Sequence, residues 1–552
     1  MKKNYSYSIL LLLFLYSSCS KAPSNSSLTT YGEIIANDKV AVTQTESGKV
    51  GGYTEDGLFI FKGVPYATAE RFMPPEKPIP WDDIRSCRAY GPTCPQGVRR
   101  GWHNDASAFV FDWNDGFPGE DCLRVNIWSP GLKDGKKRPV MVWLHGGGYS
   151  TGSGQEHPGY DGTNLARKGD VVVVSLNHRL NVLGFLDLSA FGEKYAKSGN
   201  IGLLDIVAAL EWVKSNINQF GGDPNNVTVF GQSGGGCKLA CLLAMSDAKG
   251  LFHKAIIQSG SYVRIIESKY TRQIGLLTME ELGLKASQID ELQKIPYNQL
   301  LDAGNRSIAK IREERRKEAV DIPFFNLSLT DWAPNPDGII LPAHFPFEKE
   351  APEFGKDIPL IVGTTLHETL RSSSRPELRM MNLEQAKVEL SKTYGDKTDA
   401  FVETFNKAYP NSKPVDLFDT NYLLRSSAVN HAKLKQAQQG APVYLYIFSW
   451  ESPVLDYTFR SMHCMDIPFV FDNIHKARTM TGGGKTAYEL ADKMSNTWLN
   501  FARTGNPNSS LLPEWPAYNL ETGATMFFNN NCEVKYNHDK ELLEFIASNS
   551  NN

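Results

Sequence analysis

A chain of 552 residues with 41% hydrophobic and 22% charged residues has an ordinary globular composition, long enough for one large α/β domain or several smaller ones. A formal net charge of -3 with scattered Lys and Arg excludes the basic stripe that phosphate backbones require, so no nucleic acid is expected as a partner.

The first residues read as an export signal: Lys2 and Lys3, an apolar run over residues 9–16, then Ser17, Ser18 and Cys19. That run is too short to span a bilayer stably. Leu15-Tyr16-Ser17-Ser18-Cys19 resembles a bacterial lipoprotein box, with Tyr16 where small or aliphatic residues are usual. Cys19 is therefore expected to be the lipidated mature N-terminus of an envelope lipoprotein anchored to a membrane by that lipid alone. Simple cleavage to a soluble exported protein is the alternative. Residues 20–30 are polar and Ser-rich, which suits a tether. Eight cysteines in an exported chain imply disulfides, and with Cys19 lipidated the remaining number is odd.

From residue 31 to about residue 545 no repeat or low-complexity linker intervenes, which reads as a single domain. Short apolar, β-branched runs at 140–144, 170–176, 226–230, 255–258, 359–362 and 443–449 are the clearest strands. They alternate with helical spacing at 205–216 and 235–245, the pattern of a mainly parallel sheet covered on both faces. A helical, charge-rich insertion at about 271–316 reads as a cap over the sheet edge where such folds bind ligands. The helix 487–503 carries Ala487, Leu490, Met494, Trp498 and Phe501 on one stripe and reads as core.

Two motifs carry chemistry. Residues 227–236 run from an apolar strand through Gly231-Gln232-Ser233-Gly234-Gly235 into a helix, the context of a nucleophile elbow. The turn around Ser233 is tight, so the positions two before and two after must be small. Upstream, the strand at 140–144 ends in His145-Gly146-Gly147-Gly148-Tyr149, a glycine run able to aim backbone N–H groups at an oxyanion. Gly147, Gly148 and Gly234 are the candidate donors.

At these residues the chain resembles the type-B carboxylesterase and cholinesterase family of α/β-hydrolases. The resemblance runs from about residue 48 to 518 and includes Phe61-Lys62-Gly63-Val64-Pro65-Tyr66-Ala67, Glu120-Asp121-Cys122-Leu123, Phe220-Gly221-Gly222-Asp223-Pro224 and Asn500-Phe501-Ala502-Arg503-Thr504-Gly505-Asn506-Pro507. It implies an α/β-hydrolase fold and a serine esterase. Two departures flank the nucleophile: the family usually has Glu where this chain has Gln232, and Ala where it has Gly234.

A serine hydroxyl needs a base and an acid to orient the base, in the chain order Ser, acid, His for this fold. Glu368, in the loop after the strand at 359–362, matches the family's acid, with Thr365 in place of its usual Asn. His463, in Ser461-Met462-His463-Cys464-Met465-Asp466-Ile467-Pro468, matches the family's base. His367 precedes the acid and is taken as a surface or loop residue. The triad is thus Ser233, Glu368 and His463, acting on a small-molecule ester with no metal or organic cofactor; the His and Cys spacings give no zinc site.

The resemblance also implies a Cys94–Cys122 disulfide, which would contribute about 3 to 4 kcal/mol. In cholinesterase-like relatives that loop lines the active-site gorge, making Trp113 a candidate substrate contact. Arg71 with Glu120 and Arg179 with Asp205 correspond to buried ion pairs. Cys464 beside the base could bridge to Cys237 or Cys241, although three packed, reduced thiols are the favoured reading. Amide or carbamate cleavage by the same triad, and a non-catalytic binding protein of the same fold, are the competing functions.

Overall fold

The apolar runs pair into an eleven-stranded sheet in the computed structural model, which describes residues 32–97, 105–114, 116–261, 265–318, 331–344, 350–420 and 422–549. In chain order its strands are β1 (Tyr53–Glu55), β2 (Leu58–Pro65), β3 (Arg124–Ser129), β4 (Arg138–Leu144), β5 (Val172–Leu176), β6 (Gly222–Gln232), β7 (Lys254–Gln258), β8 (Leu360–Thr365), β9 (Val443–Phe448), β10 (Thr525–Phe528) and β11 (Glu533–Lys535). Across the sheet they lie β1-β2-β3-β5-β4-β6-β7-β8-β9-β10-β11. The middle, from β5 to β10, is parallel, and antiparallel strands finish both edges.

The central strands carry apolar runs such as 140–144 and 172–174 because both faces are covered. Successive side chains point to opposite faces. Val140, Val142 and Leu144 enter one core, and Met141 and Trp143 the other. The helix Ile201–Asn216 belongs to the first core, and Lys485–Thr504, with its predicted stripe from Ala487 to Phe501 buried, to the second. A third, smaller core gathers Leu390, Phe401, Phe405 and Leu417 with Leu542 near the C-terminus.

Strand order places the site. β4 has β5 on one side and β6 on the other, so the loops leaving β4 and β6 part over the sheet and open a crevice at its C-terminal edge. The glycine run follows β4 and Ser233 follows β6. The insertion is helical, as Ser268–Glu281 and Tyr297–Glu318 packed on each other. Arg71 anchors their connection by donating to the carbonyls of Leu292 (3.1 Å) and Ile295 (2.5 Å).

Among the described residues no helix is long and apolar enough to cross a membrane. The expected signal, Cys19 and the tether lie outside the described residues.

Candidate active site

Ser233 sits between β6 and the helix Gly234–Ala244 with φ 55° and ψ −121°, a conformation that non-glycine residues adopt only when their surroundings force it. Its N–H donates to the Gln258 carbonyl (2.8 Å), and its carbonyl accepts from the Cys237 N–H (3.0 Å). The glycine spacing has a steric cause. A Cβ on Gly235 would stand 1.9 Å from the Leu144 carbonyl oxygen, and one on Gly231 would stand 2.6 Å from the Gly235 carbonyl carbon. A side chain at either position would push the elbow off the sheet.

The loop after β4 folds over the start of this helix. Gly147 and Gly148 have φ of 83° and 63°, in the left-handed region that glycine enters without strain. The carbonyl of Gly147 turns away to accept from Thr151 N–H (3.1 Å). Gly148 packs directly on Gly234: a Cβ at position 234 would lie 2.4 Å from Gly148 N. Among the described residues the N–H groups of Gly147, Gly148 and Gly234 donate to no protein acceptor. They are uncommitted donors beside a helix N-terminus.

Glu368 and His463 form the remaining pair. The Glu368 side chain is fully buried; one oxygen accepts from Thr365 N–H (2.9 Å) and the other is bonded to His463 Nδ1. The chain's Thr365 thus supports the acid through its backbone. With Nδ1 committed to the carboxylate, the Nε2 lone pair is the basic position. Gln232 Nε2 lies 3.4 Å from Nδ1 and 3.2 Å from Nε2 of His463. No in-plane approach reaches both nitrogens at those distances, so the amide rests against the ring face. Gln232 Oε1 accepts from the Cys464 thiol (3.3 Å), bridging the segments that carry Ser233 and His463.

No hydrogen bond joins Ser233 to His463 among the described residues, yet both line the same two cavities; such contacts are often loose without substrate and tighten with it. The first cavity, of about 1080 Å³, is walled by the cap helix through Leu301, Asp302, Asn305 and Arg306, with Asp331 and with Trp332, whose indole N–H donates to Asn305 Oδ1 (3.0 Å). Trp113 lines it too. The second, of about 940 Å³, is lined by Leu390, Tyr394, Leu417, Phe418 and Tyr422. Gly148, Tyr149, Ser233 and His463 belong to both, so the Ser233 and His463 side chains stand where two lobes meet.

Sequence reasoning missed Asp466. It is fully buried and accepts from Gln258 Nε2 and Tyr446 Oη, both at 2.9 Å, while its other oxygen has no partner among the described residues. Burial pushes its carboxyl up to about 6. An acid three residues past a histidine was visible; its enclosure was not.

Two readings change. His367, taken as a surface or loop residue, is 1% exposed and holds Ser461 Oγ (2.7 Å), tying the acid loop to the base loop. The Arg179–Asp205 pair is buried as expected, but Glu120, paired with Arg71, is 41% exposed, because its loop lies at the rim. Cys237, Cys241 and Cys464 are thiols in the structure, with Cys241 against the Tyr149 hydroxyl (3.6 Å). Cys94 and Cys122 are both buried, with their sulfur-bearing side chains interacting with each other. Among the described residues no cluster of three or more His, Cys, Asp or Glu is placed to hold a metal ion.

Comparison with known proteins agrees with this geometry. The family model described as "Carboxylesterase family" matches residues 39–546. The para-nitrobenzyl esterase of Bacillus subtilis (strain 168) is 36% identical over 509 residues, covering 91% of this chain and 97% of its own. Phenmedipham hydrolase of Pseudarthrobacter oxydans is 32% identical over 500 residues, with 88% and 94% covered. A solved esterase of Clostridium hathewayi, described as able to hydrolyze aliphatic aromatic polyesters, superposes with a TM-score of 0.82 at 34% identity over 94% of this chain and 100% of its own. With the α/β-hydrolase sheet and elbow in place, the chain belongs to the carboxylesterase family and is a carboxylic ester hydrolase.

Proposed function

We propose that Ser233, His463 and Glu368 form the triad of this esterase and that Gly147, Gly148 and Gly234 form its oxyanion hole. The observation that carries the reading is the His463–Glu368 pair beside an elbow serine where two cavities meet. His463 Nε2 takes the Ser233 hydroxyl proton as Oγ bonds to the ester carbonyl carbon, and the three N–H groups hold the oxyanion. The carbonyl re-forms as the bond to the alcohol oxygen breaks, and His463 returns its proton to that oxygen. Water, deprotonated by His463, then attacks the acyl carbon; the bond to Ser233 Oγ breaks as the carbonyl re-forms, and His463 returns the proton to Oγ as the acid leaves. Glu368 keeps Nδ1–H committed and stabilises the imidazolium.

The two lobes extend this to substrate class. Acidic, amide and guanidinium groups beside Trp113 and Trp332 suit a polar portion of the ester, and the Tyr394–Phe418 lobe suits a bulky apolar portion. The names of the relatives, which include a benzyl esterase and an enzyme acting on aliphatic aromatic polyesters, agree with large groups. A fluorophosphonate probe is expected to label wild type stoichiometrically and leave Ser233→Ala unlabelled while far-UV circular dichroism is unchanged; retained labelling would refute the triad.

Export, lipid at Cys19 and a Cys94–Cys122 disulfide complete the proposal. The basic start, the apolar run and Ser17-Ser18-Cys19 support the first two, and the contact of the two buried thiols supports the third. Mass spectrometry of the membrane fraction decides the lipid, and non-reducing peptide mapping decides the bridge.

A further inference from the structure

A lysine inside a fold either snorkels its ammonium to water or meets a carboxylate. Lys238 does neither. It is 0% exposed, and its Nζ donates to the backbone carbonyl of His145 (3.1 Å). No carboxylate among the described residues lies within ion-pair distance of it. The titratable groups acting on it or acted on by it are the Cys237 thiol on its own helix and the His178 imidazole, whose ring stacks on His145 at 5.1 Å. Burial pushes the ammonium down to about 7, while His178 is held well below its usual value by burial, Lys238 and Arg179, and so brings no charge.

The position of this lysine is specific. It follows Gly234 by four residues, so the two share one face of the nucleophile helix. Gly234 meets Gly148, and Lys238 holds His145. One helix face thus grips both ends of the four-residue segment carrying the proposed oxyanion donors. Between them, Gly235 admits the Leu144 carbonyl.

We propose that Lys238 is the positioning residue of the oxyanion loop, tethering His145 to the nucleophile helix and placing a buried positive charge behind the hole formed by Gly147, Gly148 and Gly234. This rests on Ser233 being the nucleophile. In the resting site the ammonium has a carbonyl dipole as its acceptor and no anion. When the oxyanion forms, a negative charge enters the same dry region, so the lysine interacts more strongly with the transition state than with the bound ester. A methionine of similar length would pack there without a desolvated charge. The lysine is thus a feature that activity retains against stability.

Lys238→Met separates this from a structural role. It is expected to fold with an unchanged or raised Tm at pH 7, to lose about tenfold or more in kcat on p-nitrophenyl acetate at a KM within about twofold, and to weaken a trifluoromethyl ketone inhibitor in parallel. A kcat within about twofold of wild type, or a kcat loss matched by a lower Tm and a raised KM, overturns the proposal. If the variant does not fold, wild type supplies the test. Forming the ketone's tetrahedral adduct at pH 8 should take up a fraction of a proton, measured by calorimetry in buffers of different ionisation heat, because the new anion raises the lysine's proton affinity. An adduct visible by fluorine NMR without proton uptake overturns the role of Lys238; absence of any adduct instead overturns Ser233 as nucleophile.

Discussion

Replacing Gly234 by alanine tests how closely the oxyanion loop is set. The added Cβ would lie 2.4 Å from both N and O of Gly148 and 2.6 Å from its Cα, all backbone atoms that no rotamer change can clear. Ordinary contact begins near ~3.4 Å, so the loop must retreat by about 1 Å. Gly148 N–H is one of the three proposed donors, and misplacement of that size costs on the order of 10²-fold. At about 1.36 kcal/mol per decade this is about 2.7 kcal/mol of transition-state stabilisation. Little of it should appear in KM, because the ground-state carbonyl scarcely uses the hole. Steady-state kinetics on p-nitrophenyl acetate, with circular dichroism and Tm as controls, measure it. The family usually carries alanine here, so the effect belongs to the close approach of Gly148 in this chain. A kcat within about threefold of wild type would refute the reasoning.

Further outcomes follow from the groups around the base. Gln232→Glu puts a carboxylate against the His463 ring; this favours the imidazolium, so the acid limb of the kcat/KM profile should move up by about one pH unit, and an unmoved limb would contradict the contact. Glu368→Gln keeps an acceptor for the Thr365 N–H but loses the charge and tautomer control at His463, so kcat should fall on the order of 10³ to 10⁴ with the fold intact. Asp466 has a folded value raised to about 6 from an ordinary value of 3.8, so the stability it contributes is present below 3.8 and lost as pH rises through 6. Asp466→Asn, whose amide oxygen can still accept from Gln258 and Tyr446, should therefore raise Tm relative to wild type more at pH 8 than at pH 4; a pH-independent difference would count against it.

What was legible in the sequence has a physical pattern. The strands β4 to β9 stood out because burial on both faces gives each a short, mostly apolar run. The elbow and glycine loop stood out because close backbone approach tolerates only glycine at Gly231 and Gly235. The edge strands β1 and β11 were invisible: short and partly exposed, they carry no unbroken apolar run. His367 and Glu120 were misplaced because local composition does not report enclosure. The grip of Lys238 on His145, the seat of Gln232 on His463 and the enclosure of Asp466 depend on segments distant in the chain. The second cavity likewise draws Leu390, Phe418 and Ile546 from separate helices. Spacing alone marks none of these.

The central claim is that the acyl group of the ester passes through Ser233. Wild-type protein quenched in acid during turnover of a p-nitrophenyl ester, digested and mapped by mass spectrometry should carry the acyl mass on the peptide containing Ser233, and Ser233→Ala should show neither that adduct nor turnover. Acyl mass on a different residue, or undiminished hydrolysis by Ser233→Ala, would contradict the account.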